Sequence, residues 1–335
     1  MSLGLQVEHL KSGGRVGEIR LAIQDYVRKL SFLNVNQQAG RASPHKICML
    51  LALFDLARSG GLTENRITYS PALLERYSRY FNAVRTPSDH ANPYFPFFHL
   101  KGKLRNDEES FWHLKPLPGR ESVLEAMRTA RRSNDITDNV SHVELDNDLY
   151  RLLQDGRAID QLSASLAEHW FDRGLEDLNR VVEQGKQISV YEHRLRNLPA
   201  RGASEATPPE YVRSPAFRRI VTDIYDYRCA ATGLRVVLPD GTAMVEAAHI
   251  DPFCNSGDDD PRNGLALTPD MHWAMDAALI APGPDYKWHV SKAIDSRIPD
   301  HRIFTGLAGK PIFLPREQRM YPRQEVLEWR LGNLL

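Results

Sequence analysis

Four residues in the C-terminal third have types and spacings that could do chemistry: His249, then Asn263 fourteen positions on, His272 nine beyond that and Asp276 four beyond His272. Residues four apart on a helix share one face, so the His272 imidazole and the Asp276 carboxylate can grip one divalent cation together. A histidine on a rigid strand opposite that helix can take a proton from water. Asn263 can hold its loop in register through the side-chain amide. Each also has a plain structural reading: a satisfied strand-end histidine, a turn asparagine before Gly264, a helical side-chain pair. Their order on a hairpin-then-helix layout is what points to a site.

A second set lies near the N-terminus. Arg41, His45 and Lys46 cluster around Ser43-Pro44, and Pro93-Tyr94-Phe95-Pro96-Phe97-Phe98 is an aromatic run with two prolines. Two prolines argue against a regular central strand. Phe95, Pro96 and Phe97 can form an apolar wall, whereas Phe98 and Trp112 read as core. Lys46 falls in the first turn of a helix, where backbone amides also favour phosphate.

The elements that must position these residues follow from pattern. Val16, Ile19, Ile23, Val27 and Leu30 make one helical stripe. Ser43-Pro44 and Ser70-Pro71 read as N-cap and first-turn pairs. The first opens an almost wholly apolar helix over Ile47–Ala57, ended by Gly60-Gly61, which belongs inside a core. Ser141 and Glu144 read as a capping box at the start of a helical stretch reaching about Gln187. Leu198–Pro215 reads as an exposed linker amid Arg194, Arg196, Arg201, Arg213, Arg218 and Arg219. Ser214-Pro215 then caps a short helix. Strands Arg235–Leu238 and Thr242–Ile250 form a hairpin about Pro239-Asp240-Gly241, and a helix opens near Pro269-Asp270. Asp258-Asp259-Asp260 reads as a solvated loop, with a second cation site as the less favoured alternative.

At 335 residues the chain has room for two domains and a connector. Hydrophobic residues at 42% and charged residues at 26% exclude wholesale disorder. No apolar run reaches bilayer length and no secretory leader is visible, so the expectation is a cytoplasmic protein with no membrane partner. The three cysteines, Cys48, Cys229 and Cys254, are too scattered for a disulfide framework. Lys and Arg total 43 against 43 Asp and Glu, so no bulk basic field announces nucleic acid; only local patches can.

Tyr227-Arg228-Cys229-Ala230-Ala231-Thr232-Gly233, Glu246-Ala247-Ala248-His249-Ile250, Asn263-Gly264-Leu265-Ala266-Leu267 and His272-Trp273-Ala274-Met275-Asp276 together resemble an HNH endonuclease domain, over about residues 210–295. The resemblance implies a ββα-metal nuclease with His249 as general base, Asn263 as the middle motif residue, His272 and Asp276 on the metal side, and Mg2+ or Mn2+ as cofactor. Two departures stand out. Many relatives carry a metal ligand just before the base histidine, where this chain has Ala248, and Glu246 is the nearest substitute. Many relatives also have CxxC pairs, so with Cys229 alone no structural zinc is expected.

Gly40–Lys46, Asn92–Leu100 and Phe111–Leu114 resemble the sulfur-binding domain of phosphorothioate-dependent restriction enzymes, over about residues 15–120. Sulfur in place of a non-bridging oxygen is larger, more polarisable and a poorer hydrogen-bond acceptor. A selective reader should offer it an apolar wall and give the remaining oxygen a cation.

The expected fold is α+β: an α-rich N-terminal DNA-reader domain (1–150), a helical connector and basic linker (151–210), and a C-terminal ββα-metal nuclease domain (211–335). The expected function is restriction of phosphorothioate-modified double-stranded DNA. A double-strand break from one-metal sites suggests a homodimer. The rivals are an HNH nuclease reading a modified base and a DNA-binding protein with a decayed site. The first asks for a flipped-base pocket, which no motif advertises.

Overall fold

The structure, a computed structural model, describes residues 20–38, 41–171, 178–198 and 207–335. Val16, Ile19, Gly40 and Arg201 lie outside the described residues. The chain divides at Ser189/Val190 into two compact units, the first also taking in Pro239–Gly241. This division differs from the expected borders at 150 and 211. Leu149, Leu152, Ile159, Leu162, Leu166, Trp170 and Leu178 belong to the same core as the preceding helices.

The first unit begins with helix α1 over residues 20–31, followed by a two-residue ribbon, β1 (Gln37–Gln38) and β2 (Arg41–Ala42). Helix α2 (His45–Arg58) is the centre of this core, with every residue from Ile47 to Leu56 buried. Asp55 is among them, satisfied by Arg58 at 2.8 Å and the Tyr80 hydroxyl at 2.7 Å. Ser43 does not cap α2. Pro44 holds the cap position, and the Ser43 hydroxyl meets His45 Nδ1 instead. Helix α3 (Pro71–Val84) does start as read, with the Ser70 side chain accepting from Leu73 N–H and Pro71 in the first turn. The aromatic run folds as the short helix α4 (Tyr94–His99).

Strand β3 (Trp112–Pro116) pairs antiparallel with β4 (Val140–Leu145), with α5 (Glu121–Ala126) and α6 (Ser133–Thr137) between them. Ser141 and Glu144 thus lie on a strand and form no capping box. Val143 and Leu145 turn into the core while Glu144 between them stays outside, a period-two burial that pairing with β3 enforces. The register shift at Ser141 breaks the alternation and leaves Val140 buried and Ser141 partly exposed. Helices α7 (Asn147–Leu152), α8 (Gly156–Phe171) and α9 (Leu178–Arg196) follow.

In the second unit α10 spans Glu210–Ile224, so the helix starts four residues before Ser214-Pro215, inside the span read as linker, of which residues 199–206 lie outside the described residues. The buried stripe Val212, Ala216, Phe217, Ile220 and Val221 carries the helix through Pro215. Residues 235–238 and 242–245 make only an isolated bridge, Val237 to Ala243, and the regular strand is β5 (Glu246–His249). Its partner is β6 (Gly264–Leu267), beyond the loop that holds α11 (Phe253–Ser256). The reason is burial: Leu265, Ala266 and Leu267 are wholly enclosed, whereas Leu238 and Met244 remain exposed. Gly264 is required where β6 meets α10, because a Cβ there would lie 2.6 Å from Val221. Helix α12 (Pro269–Asp276) follows directly and completes a ββα unit. Strands β7 (Ile280–Pro282) and β8 (Trp288–Val290), α13 (Arg302–Thr305) and α14 (Gln324–Gly332) finish the unit.

Candidate active site

His249 ends β5, and its ring lies flat on Phe217 of α10, centroids 3.9 Å apart and planes 2° from parallel. Its Nε2 is 3.0 Å from Asp259 Oδ1. Asp259 is not solvated: its side chain is 2% exposed and also receives Arg213 Nη1 at 2.9 Å and the Tyr191 hydroxyl at 3.3 Å. The reading of Asp258–Asp260 as a solvated loop is corrected accordingly. Asp258 pairs with Arg323, and Asp260 with Arg262. Burial pushes the Asp260 carboxyl up, but the hydrogen bonds from Arg262 outweigh it and hold the group below the usual carboxylate range.

Asn263 is fully buried and knits the loop. Its Oδ1 accepts from Asp251 N–H at 2.9 Å, and its Nδ2 donates to the carbonyls of Asp251 at 2.9 Å and Asp258 at 3.1 Å. All of the amide is consumed in backbone contacts, which leaves Asn263 a loop brace.

His272 and Asp276 fall on one face of α12, with Nε2 and Oδ2 3.4 Å apart. His272 Nδ1 meets Glu246 Oε2 of β5 at 3.0 Å. The side chain of Ala248 is enclosed in the core and offers no ligand. Among the described residues no three His, Cys, Asp or Glu side chains are gathered as a ready cation cage. The donor chemistry nevertheless fits a hard divalent cation. A nitrogen and an oxygen each about 2.0–2.2 Å from one ion lie roughly 3 Å apart, close to the separation seen. With Nε2 turned to a cation, Nδ1–H would donate to Glu246, the arrangement that fixes ring orientation in ligating histidines. A cleft of about 540 Å³ is lined by His249, His272, Glu246, Phe217, Arg213 and Arg218, among others, so the two histidines open onto one space.

Arg330 of α14 clamps this constellation from behind. Its guanidinium donates to the carbonyls of Ile250, His249 at 3.1 Å and Met275 at 3.3 Å, and lies 3.9 Å from Asp276. Burial holds its pKa below the ordinary arginine value. The sequence reading did not single out Phe217, Arg213, Tyr191 or Arg330 for the site. They reach it from elsewhere in the chain, and only the local basic run gave a sign of Arg213.

In the first unit a cleft of about 420 Å³ is lined by Ser43, His45, Lys46, Phe95, His99 and Asn34, among others. Phe95 is half-buried, its ring 4.3 Å from that of His99 and 6.5 Å from that of His45. Phe97 is corrected from wall to core: it is 0% exposed and packs edge-on against Trp112 and Tyr69. Pro93 and Pro96 are buried as well, and the Tyr94 hydroxyl turns to Asn92. Phe98 and Trp112 are core.

His45 is also not the cation expected of it. A carbonyl can only accept, so Nε2–H donates to His90 O at 3.0 Å, and Nδ1 meets the Ser43 hydroxyl at 2.8 Å. Burial pushes its pKa below the ordinary value, which favours the neutral ring. Lys46 donates to Asn34 O, and burial brings its pKa down to about 8. His99 is lowered too, by burial first and then by the charges of Lys46 and Lys101. Arg41 sits on β2 beside this cleft in sequence, and only its backbone is described.

Residues 229–281 match the HNH endonuclease family. The ββα unit of β5, β6 and α12 falls within that span, so this part of the chain carries an HNH endonuclease domain. No curated protein matches the chain. Among solved structures, a modification-dependent TagI restriction endonuclease shares 21% identity over 37% of this chain and 39% of its own, with a TM-score of 0.29. So slight a superposition carries no argument about fold or activity. No helix among the described residues is long and apolar enough to cross a membrane.

Proposed function

We propose that the chain is a modification-dependent restriction endonuclease whose N-terminal unit binds phosphorothioate DNA and whose HNH domain hydrolyses a phosphodiester nearby. The observation that supports the targeting reading most is the cleft that sets the Phe95 ring beside Lys46. An aromatic face suits a weakly hydrated sulfur, and an ammonium suits the remaining oxygen. In this reading Phe95 with the ring of His45 forms the wall, and Lys46 supplies the charge.

In the nuclease unit His249 takes a proton from the attacking water. His272 and Asp276 would hold Mg2+ or Mn2+, oriented by Glu246. The cation, when bound, neutralises charge on the phosphoryl group and assists the departing 3′ oxygen. Asn263 keeps the loop between base and metal side in register. Two protomers acting together account for a double-strand cut.

A second reading rests on the adjoining cleft of about 530 Å³ on Asn36, Thr86, Asp89, Asn92, His45 and Phe95, which offers hydrogen-bonding edges beside rings, as a modified base requires. One experiment separates them: cleavage of a single duplex prepared plain, with a phosphorothioate, and with a modified base. Cutting of the phosphorothioate duplex alone supports the first reading. Cutting of the base-modified duplex alone replaces it with the second.

A further inference from the structure

We propose that Asp259 is a positioning residue for the hydrolysis: it holds the His249 imidazole in the one tautomer that leaves Nδ1 as the base. The inference rests on His249 being the general base and adds which nitrogen acts and what selects it.

The argument starts from the carboxylate. An ionised carboxylate only accepts hydrogen bonds, so the nitrogen facing Asp259 Oδ1 at 3.0 Å, Nε2, must carry the hydrogen. In a neutral imidazole the other nitrogen is then the lone-pair nitrogen. Nδ1 has no protein partner among the described residues, and His249 lines the cleft shared with His272. The base position is thus set by elimination on the ring itself.

Three further contacts make Asp259 fit for this task rather than merely adjacent. Its side chain is 2% exposed, so water does not compete for the carboxylate. Arg213 Nη1 donates to both oxygens, at 2.9 and 3.2 Å, and holds the carboxylate in place. Arg213 is itself held over the Phe253 ring at 3.5 Å, and Tyr191 donates to Oδ2 at 3.3 Å. Every acceptor direction on Asp259 is therefore committed, and the one toward His249 is supported from behind. Meanwhile the stacked Phe217 ring allows the imidazole to tilt little. When Nδ1 takes the proton from water, the ring becomes a cation whose Nε2–H already faces an anion, so the charge forms where it is stabilised.

The test uses the full chain with Mn2+ and a plasmid duplex in plain and phosphorothioate-substituted forms, together with 15N histidine NMR, the His249 signal being assigned by its loss in His249→Ala. The expected results are an Nε2–H tautomer in the native protein and a shift toward Nδ1–H in Asp259→Asn. The same variant should lose kcat by at least about tenfold with KM nearly unchanged, and Asp259→Glu should recover part of it. An Nδ1–H tautomer in the native protein would overturn the proposal even if Asp259→Asn failed to fold. Native cleavage by a folded Asp259→Asn would overturn it too. If His249→Ala cuts normally, the fault lies instead with the general-base assignment itself.

Discussion

The imidazole of His249 and the ring of Phe217 form a parallel stack across the junction of β5 and α10, and Phe217 lies thirty-two positions earlier in the chain. The stack defines the ring plane, so the His249 ring has a fixed orientation. His249→Ala should lower cleavage by roughly a hundred- to ten-thousand-fold with DNA binding and melting temperature little changed. Phe217→Leu keeps most of the buried volume but not the flat face. It should reduce kcat while leaving affinity intact, as single-turnover cleavage and a filter-binding titration would report.

Chelator should abolish cleavage, and Mg2+ or Mn2+ should restore it. His272→Ala should raise the metal concentration needed for half-rescue by about 10-fold or more, and Asp276→Ala should do so less steeply because Glu246 lies on the same imidazole. Rescue curves that superimpose on the native one would remove both residues from the metal side.

Phe95 and Phe97 sit two residues apart yet should fail in different ways. Phe97→Ala opens the core and should cost about 3–5 kcal/mol of stability, read by denaturant titration. Phe95→Ser touches a half-buried side chain. It should leave stability nearly unchanged and erase any preference for phosphorothioate over plain duplex.

If Lys46 binds DNA as proposed, it should give that step a pH dependence. Its folded-state pKa lies at about 8, below the ordinary lysine value, so its charge is present at pH 7 and lost as pH rises toward 9. Affinity for duplex at fixed salt should fall over that window, and Lys46→Ala should flatten the profile. For stability the sign is opposite: the buried charged form is disfavoured, so this group's contribution improves as pH rises through 8.

The parts of the site that were legible in sequence are those set by short-range geometry. Ser70 and Pro71 announce α3 because a cap needs only its own first turn. His272 and Asp276 share a face because the helix repeat places them there. Asn263 could be read as a loop brace because it has an amide to spend on backbone. Asp259 was obscured by its own neighbours, since three successive carboxylates look solvated until Arg213, Tyr191 and His249 arrive from elsewhere to bury the middle one. Ser141 and Glu144 failed for the reverse reason: a local capping pattern says nothing of the strand Trp112–Pro116 that claims the segment. Phe97 and Phe95 are chemically identical in sequence, and only tertiary packing decides which one faces the cleft.

Arg330 adds an order of events to the life of the chain. The guanidinium that ties the carbonyls of His249 and Ile250 to that of Met275 is synthesised eighty-one residues after His249. A ribosome-bound chain whose α14 is still in the exit tunnel therefore carries every residue of the site without the clamp that holds strand and helix together. A nuclease site assembled this way should stay inactive until α14 has emerged. A chain cut back to residue 323 should accordingly cleave poorly in extracts, and regain cleavage when α14 is supplied as a peptide; full activity of the shortened chain would show that the clamp is dispensable.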